Sequence, residues 1–413
     1  MRFARRTSFC TSGLRPTETF PVRPGAHSRS SHGTHAMAAV LCALVVSWGV
    51  RPLVAQQPVA PASRVPSAAE EAAERLGEAL RQRFVQDSIP GLAAAIVSDT
   101  GTVWTASFGV VDGPGSRAVD SRTIFSIQSL SKSFTALAVF MAVQEGLVAL
   151  DTPIVRYLPD FRVSSGFEEH PERRITLRHL LNHRAGLVHE APFGSNSDTG
   201  YDFPRHIASI SETSLRSPVG SSYSYSNLGI DLAGYIVQVR SRMPFADYVR
   251  TRVLEPLGMR ASSFDMEVVR RISNRAVGHR PAGQPVVLEI PMIPAGGLYA
   301  SVEDVARFLR FHLGNGSLDG RRLLREDLFH DLHAIQFTSD STAFYANGLI
   351  RRPLGSTYLL AHNGEGFGFQ STMAMFPDVS LGIVVLTNAS GYGLNESWTA
   401  PVLVEIVARR AAR

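Results

Sequence analysis

FSIQSLSKSFTAL, residues 125–137, contains Lys132, the only lysine among the 41 lysine and arginine positions of a 413-residue chain. Everywhere else a fixed positive charge is supplied by arginine. A guanidinium keeps its proton in any protein environment, whereas an ammonium sheds it when desolvated or set near another cation, and can then act as a base. The exception at 132 therefore points to proton transfer. Ser129 stands three residues earlier, and residues i and i+3 share a face if the segment is helical. The following SFTALAVFMAVQEGL predicts such a helix, ended by Gly146. A neutral amine beside a hydroxyl can take its proton and leave an attacking alkoxide. Serine is common, so S-x-x-K by itself is often an accident, and the rest of the chain must decide.

The first 55 residues differ from the remainder. Arg2, Arg5, Arg6, Arg15, Arg23 and Arg29 lie among Ser, Thr and Pro, and MAAVLCALVVSWGV (37–50) is an apolar run too short to span a bilayer. P-L-V-A before Gln56 is a small-residue cleavage pattern, so the expectation is a secretory signal peptide over 1–55, with Met37 an alternative start. Neither a twin-arginine signal nor a lipidated Cys42 fits the spacing. Export to the periplasm or medium follows. Removing 1–55 takes away seven arginines and Glu18, which turns a formal charge of +5 into −1. The basic pI thus belongs to the leader and is no footprint for nucleic acid. Both cysteines, Cys10 and Cys42, leave with it, which excludes disulfides, Cys metal sites and a Cys nucleophile from the mature chain. No other segment suits a membrane span. Residues 56–69 read as a Pro/Ala linker.

Beyond the linker, 69–87 has helical spacing with Ser67 as candidate N-cap. LAAAIVS (92–98) and TVWTASFGV (102–110) read as a hairpin, as do FQSTMAMF (369–376) and LGIVVLTN (381–388). SVEDVARFLRFHL (301–313) reads as a helix with a Ser cap, and ESWTAPVLVEIVARRA as a closing helix. The stretch from about 150 to 290 is mostly helix and loop. Strands at both ends around inserted helices imply one discontinuous α/β lobe over 70–413 with a helical lobe, and a cleft as the default site.

Two further stretches carry candidate chemistry. Tyr225-Ser226-Asn227 lies in a Gly/Ser loop before a helix. A phenol can relay protons and an amide can hold a carbonyl, although a turn with an Asn cap is the ordinary alternative. His362-Asn363-Gly364 follows the strand-like STYLLA, where a glycine lets a substrate backbone approach an edge strand. An ordinary turn is again the plainer choice. Taken together and in order, Ser-x-x-Lys, Tyr-x-Asn and His-x-Gly resemble the serine β-lactamase and penicillin-binding protein superfamily. The resemblance is closest to its class C-like branch of β-lactamases, DD-carboxypeptidases, D-aminopeptidases and β-lactamase-like esterases. IPGLAAAIV, LDTPIVRYLPDF, ITLRHLLNHRAGL, EPLGM and PAGGLYASVEDVARF extend it over about 75 to 390.

The resemblance implies an antiparallel sheet flanked by helices with an inserted helical lobe, and an acyl-enzyme mechanism without cofactor or metal. It makes Ser129 the nucleophile, Lys132 its base or proton shuttle and Tyr225 a partner in the proton work. Asn227 would orient substrate, His362 and Gly364 would line the sheet edge, and the backbone N–H groups of Ser129 and Glu365 would form the oxyanion hole. Class C β-lactamases usually have Lys-Thr-Gly where this chain has His362-Asn363-Gly364. A neutral histidine grips a carboxylate less well, which favours an esterase or D-amino-acid peptidase over a dedicated β-lactamase. The implied partner is a small-molecule or short-peptide substrate, and no oligomeric state is implied. A non-catalytic member that holds peptidoglycan or a partner in the same cleft is the competing expectation. His179 and His183 have i, i+4 spacing that could hold a metal, but no glutamate sits beside His179. Gly364, Gly366 and Gly368 lack the following helix of a nucleotide loop. A G-x-S-x-G elbow is absent.

Overall fold

The structure is a computed structural model that describes residues 67–194, 202–280, 285–286, 289–335, 344–354, 357–393, 402–406 and 408–409. The leader, its cleavage point and nearly all of the linker lie outside these residues. The first helix, α1, runs over Ala68–Gln86. Ser67 caps it reciprocally: its hydroxyl accepts from the Glu70 N–H at 3.2 Å, and its own N–H donates to Glu70 Oε2 at 2.6 Å. The last two residues assigned to the linker therefore already belong to the helix.

Two hairpins flank the chain, β1 (Gly91–Val97) with β2 (Thr102–Gly109), and β6 (Phe369–Phe376) with β7 (Leu381–Thr387). Between them in sequence come β3 (Phe344–Tyr345), β4 (Ile350–Leu354) and β5 (Thr357–Gly366). The seven form one antiparallel sheet in the order β2-β1-β7-β6-β5-β4-β3. Pairing of β1 with β7, Leu92 opposite Thr387 through Val97 opposite Gly382, joins the two ends of the chain. This is the expected architecture, an antiparallel sheet with helices on both faces. β4 escapes a sequence reading because IRRPL is short, basic and holds Pro353, features of a strand near a sheet edge.

Alternation along the central strands separates two cores. Leu92, Ala94, Ile96, Ile383 and Val385 face α1 and the Leu403–Ile406 segment. Ala93, Ala95, Val97, Met373, Val384 and Leu386 face the other way, into one large core. That core is shared with α2 (Ser131–Gln144), α5 (Asn227–Ser241) and α6 (Val302–Leu313), with α3 (Leu177–Leu181) and α4 (Phe203–Ser209) lying between α2 and α5 in the chain. The inserted helices thus have no core of their own. No described helix is long and apolar enough to cross a membrane.

Burial leaves four histidines neutral. It pushes His312 and His362 down to about 3, and His183 and His333 well below the usual range. The folded form therefore binds fewer protons than the unfolded chain once pH falls below about 6.5, the ordinary histidine value. Their contribution is present above that pH and is lost as pH falls toward 3, at up to about 1.4 kcal/mol per pH unit for each group. His206 opposes this: burial pulls its affinity down, but the bond and charge of Asp231 leave it raised. The melting temperature is expected to fall between pH 7 and pH 5 in thermal scans, and a rise would contradict four neutral buried rings.

Candidate active site

Ser129 lies in a short 3-10 turn, Gln128–Leu130, immediately before α2. The residue before it, Gln128, adopts φ 51°, a left-handed conformation that costs a side-chain-bearing residue roughly 1–3 kcal/mol. The surroundings hold it there. Gln128 Nε2 donates to Ser126 Oγ at 2.7 Å, and the Ile127 N–H to Leu298 O at 3.0 Å. Ser371 Oγ donates to Ile127 O at 2.7 Å, and the Leu298 N–H to Ser131 Oγ at 3.1 Å. Two more hydroxyls of α2 anchor it to neighbouring carbonyls, Ser133 to Gly348 and Thr135 to Pro294, each at 2.7 Å. The half-exposed Ser129 is thus presented from a fixed base.

Lys132 is fully buried one helical turn on. Its Nζ lies 2.9 Å from Ser129 Oγ and 2.9 Å from the Ala295 carbonyl oxygen. Among the described residues it has no carboxylate partner. A permanent cation would be costly in such a place, and arginine at 132 would have to remain one. Nζ also stands 5.0 Å from the centre of the Tyr225 ring.

Tyr225 is placed by His183. The His183 carbonyl accepts the Ser224 N–H at 2.8 Å, and its Nδ1 accepts the Ser226 N–H at 3.2 Å, so both neighbours of Tyr225 are tied to one residue. The His183 ring packs on Tyr225 with centroids 4.4 Å apart, and on Tyr345 at 4.6 Å. Because Nδ1 accepts, the ring proton sits on Nε2. The shared helical face expected of His179 and His183 does not exist. α3 ends at Leu181, His183 turns left-handed at φ 60°, and His179 binds the Thr176 hydroxyl instead. The described residues contain no group of three or more side chains suited to a metal.

Ser226, not Asn227, caps α5, its hydroxyl accepting the Gly229 N–H at 3.2 Å. Asn227 is the first helical residue, and its amide donates to His189 Nε2 at 3.4 Å. His362 lies in β5, which runs on through Gly366. Its ring is buried and points to Tyr345, whose hydroxyl is 2.9 Å from Nε2, while Nδ1 donates to the Asn363 carbonyl at 2.7 Å. Burial, with Lys132 second, keeps it neutral. It does not line the cleft. Gly364 serves the chain's own packing: a Cβ there would meet Ile127 O at 2.1 Å and Gln128 Cβ at 3.0 Å. Glycine thus lets the Ser129 turn rest on β5. Pairing of β5 with β4 runs from Thr357 to Ala361, and His362 to Gly366 lie beyond it.

Beside Ser129 opens a cleft of about 180 Å³, lined among others by Gln128, His189, Glu190, Asn227, Ala295, Glu365 and Phe367. The described lining includes two carboxylates and no arginine or lysine. Ser129, Lys132 and Tyr225 come together, Asn227 and Glu365 reach the cleft, and His362 stands behind it. Tyr345 and Ala295 had no role in the sequence reading, and His183 entered it only as a possible metal ligand. His183 and Ala295 carry a signal as members of LLNHRAGL and PAGGLYASVEDVARF, whereas Tyr345 lies in neither stretch.

The family model for beta-lactamase matches residues 68–402. The chain belongs to the beta-lactamase family. A human relative, "Putative beta-lactamase-like 1", is 27% identical over 334 residues, 77% of this chain and 65% of that protein. "Protein flp" of Staphylococcus aureus (strain COL) is 26% identical over 77% of this chain and 62% of its own length. The chain thus spans somewhat less than two thirds of these relatives. Its fold resembles an octameric penicillin-binding protein homologue from Pyrococcus abyssi, with a TM-score of 0.70, 24% identity, and coverage of 83% of this chain and 78% of that one. Beta-lactamase family members are generally serine hydrolases, and this chain has the family's sheet and flanking helices.

Proposed function

We propose that this chain is an exported serine hydrolase that acts through an acyl-enzyme on ester or D-amino-acid amide carbonyls, and prefers acyl donors without a free carboxylate. The observation that supports the chemistry is the 2.9 Å contact between Ser129 Oγ and the buried Lys132 amine. Export rests on the leader over 1–55. In this reading Lys132 takes the Ser129 proton as Oγ attacks the carbonyl carbon. The negative oxygen that forms is held by the backbone N–H groups of Ser129 and Glu365. The proton passes to the leaving group through Lys132 and Tyr225, and the acyl group stays on Ser129. Water, deprotonated by the same pair, then attacks the ester and restores the serine.

The substrate preference rests on charge. His362, which would stand where a carboxylate-binding cation is usual, is neutral and bonded to Tyr345, and the cleft lining offers Glu190 and Glu365 instead. Losing one charge-assisted hydrogen bond costs about 1.5–3 kcal/mol, roughly 10- to 100-fold. Steady-state kinetics on a p-nitrophenyl ester, a cephalosporin and a D-Ala-D-Ala peptide should give the ester the highest kcat/KM, with the cephalosporin lower by at least about tenfold. A cephalosporin turned over faster than the ester would overturn the preference.

A further inference from the structure

We infer that the His206–Asp231 ion pair, wholly buried behind the cleft, is the positioning device for Lys132 and acts through the Ala295 backbone. The inference rests on the serine-hydrolase reading above. Among the described residues Lys132 Nζ has two polar partners, Ser129 Oγ and Ala295 O. Once Ser129 is acylated, its oxygen can no longer serve the amine in the same way. The Ala295 carbonyl is then the fixed point from which Lys132 must work.

Residue 295 is itself held from several directions. Its N–H donates to Asp231 Oδ1 at 2.9 Å. The preceding carbonyl, of Pro294, accepts the Thr135 hydroxyl from α2 at 2.7 Å. The Pro294 ring lies against Gly234 of α5, where a Cβ would come within 2.4 Å of Pro294 Cγ. Asp231 stands one helical turn beyond Asn227 on α5, and its other oxygen is 2.9 Å from His206 Nε2. His206, from α4, donates through Nδ1 to the Phe193 carbonyl at 2.7 Å. Phe193 belongs to the segment that supplies His189 and Glu190 to the cleft. The pair therefore ties the cleft wall, the helix that begins at Asn227 and the Lys132 anchor into one unit.

A buried ion pair is poor value for stability alone, since apolar residues of like volume often do as well or better. An apolar pair could not accept the Ala295 N–H. What the site requires of residue 231 is then an acceptor at Oδ1, not a negative charge. Asp231→Asn can keep every bond. Its Oδ1 accepts from Ala295, and its amide donates to Nε2 of a neutral His206 whose Nδ1–H still reaches Phe193. Asp231→Ala loses the anchor.

The test measures single-turnover acylation of the full chain by a p-nitrophenyl ester, for wild type, Asp231→Ala and Asp231→Asn, with folding checked by near-UV circular dichroism. Ester affinity is measured separately in a Ser129→Ala background. A misplacement of about 1 Å can cost on the order of 10²-fold in rate. Asp231→Ala is expected to acylate at least about 30-fold more slowly while ester affinity stays within about threefold. Asp231→Asn should restore acylation to within about threefold of wild type. If Asp231→Ala does not fold, Asp231→Leu, which fills the space but offers the Ala295 N–H no acceptor, takes its place with the same expectation. A folded deletion variant that acylates like wild type overturns the inference, as does Asp231→Asn acylating as slowly as Asp231→Ala. A wild-type chain that takes up no acyl group overturns the hydrolase reading, and this inference with it.

Discussion

Ser129→Ala is expected to leave the fold intact and lower kcat by about 10³-fold or more. The fold should survive because, among the described residues, the Ser129 hydroxyl bonds to Lys132 alone. The turn and α2 are held by other groups, the Ile127 backbone and the Ser131, Ser133 and Thr135 hydroxyls. The rate should collapse because alanine offers no atom to form the acyl bond, and a factor of 10³ corresponds to about 4 kcal/mol of transition-state stabilisation. Steady-state turnover of the folded variant on its best ester decides this. Near-wild-type turnover would remove Ser129 from the mechanism and turn attention to Ser131. That serine is fully buried and already accepts the Leu298 N–H.

Lys132→Arg should be nearly as damaging as alanine. Both side chains can carry a positive charge, but only lysine can give up its proton at usable pH. If residue 132 served only as a cation beside Ser129, arginine would do tolerably, as it does at every other basic position in the chain. General-base help is worth about 10²–10⁴-fold. Overfilling a closed site costs typically about 1–3 kcal/mol, a burden borne mainly by stability, so the comparison must use folded protein. Single-turnover acylation is the appropriate reading, because it isolates the step in which Ser129 loses its proton. Retention of more than about a tenth of the wild-type rate, against that general-base range, would make the ammonium electrostatic. Tyr225 would then be the base.

Much of the sheet could be read from the sequence because its strands state their period and their turns. LAAAIV and LGIVVL are apolar throughout, as befits strands covered on both faces, and Asp99-Thr100-Gly101 and Pro377-Asp378 mark the turns. β3 and β4 give no such signal: β3 is two residues long, and β4 holds two arginines and a proline. At the site, Ser129 and Lys132 are close in sequence and share one helical turn, so their contact follows from local geometry. Tyr225 is nearly a hundred residues away; its phenol was a candidate by type, but only the resemblance put it beside Lys132. What brings it to Lys132 is His183, an interaction between segments that no local pattern encodes.

Two sequence expectations drew the wrong physics from the right residues. Gly364 was read as room for substrate, but the space it leaves is filled by Ile127 and Gln128 of the same chain. His362 was read as lining the sheet edge where a carboxylate-binding cation is usual; it does lie in β5, but its ring turns to Tyr345. In both cases the residue type reports a close approach or a buried ring, and sequence does not say what does the approaching.

Covalent capture tests the acyl-enzyme at Ser129 most directly. The full chain is treated with a fluorophosphonate, digested with trypsin and mapped by tandem mass spectrometry. Cleavage after Arg122 and Lys132 isolates TIFSIQSLSK, residues 123–132, which holds Ser126, Ser129 and Ser131. The expected result is a single adduct on Ser129, absent from Ser129→Ala. An adduct on another residue, or hydrolysis of an ester by a chain that forms no adduct at Ser129, would contradict it.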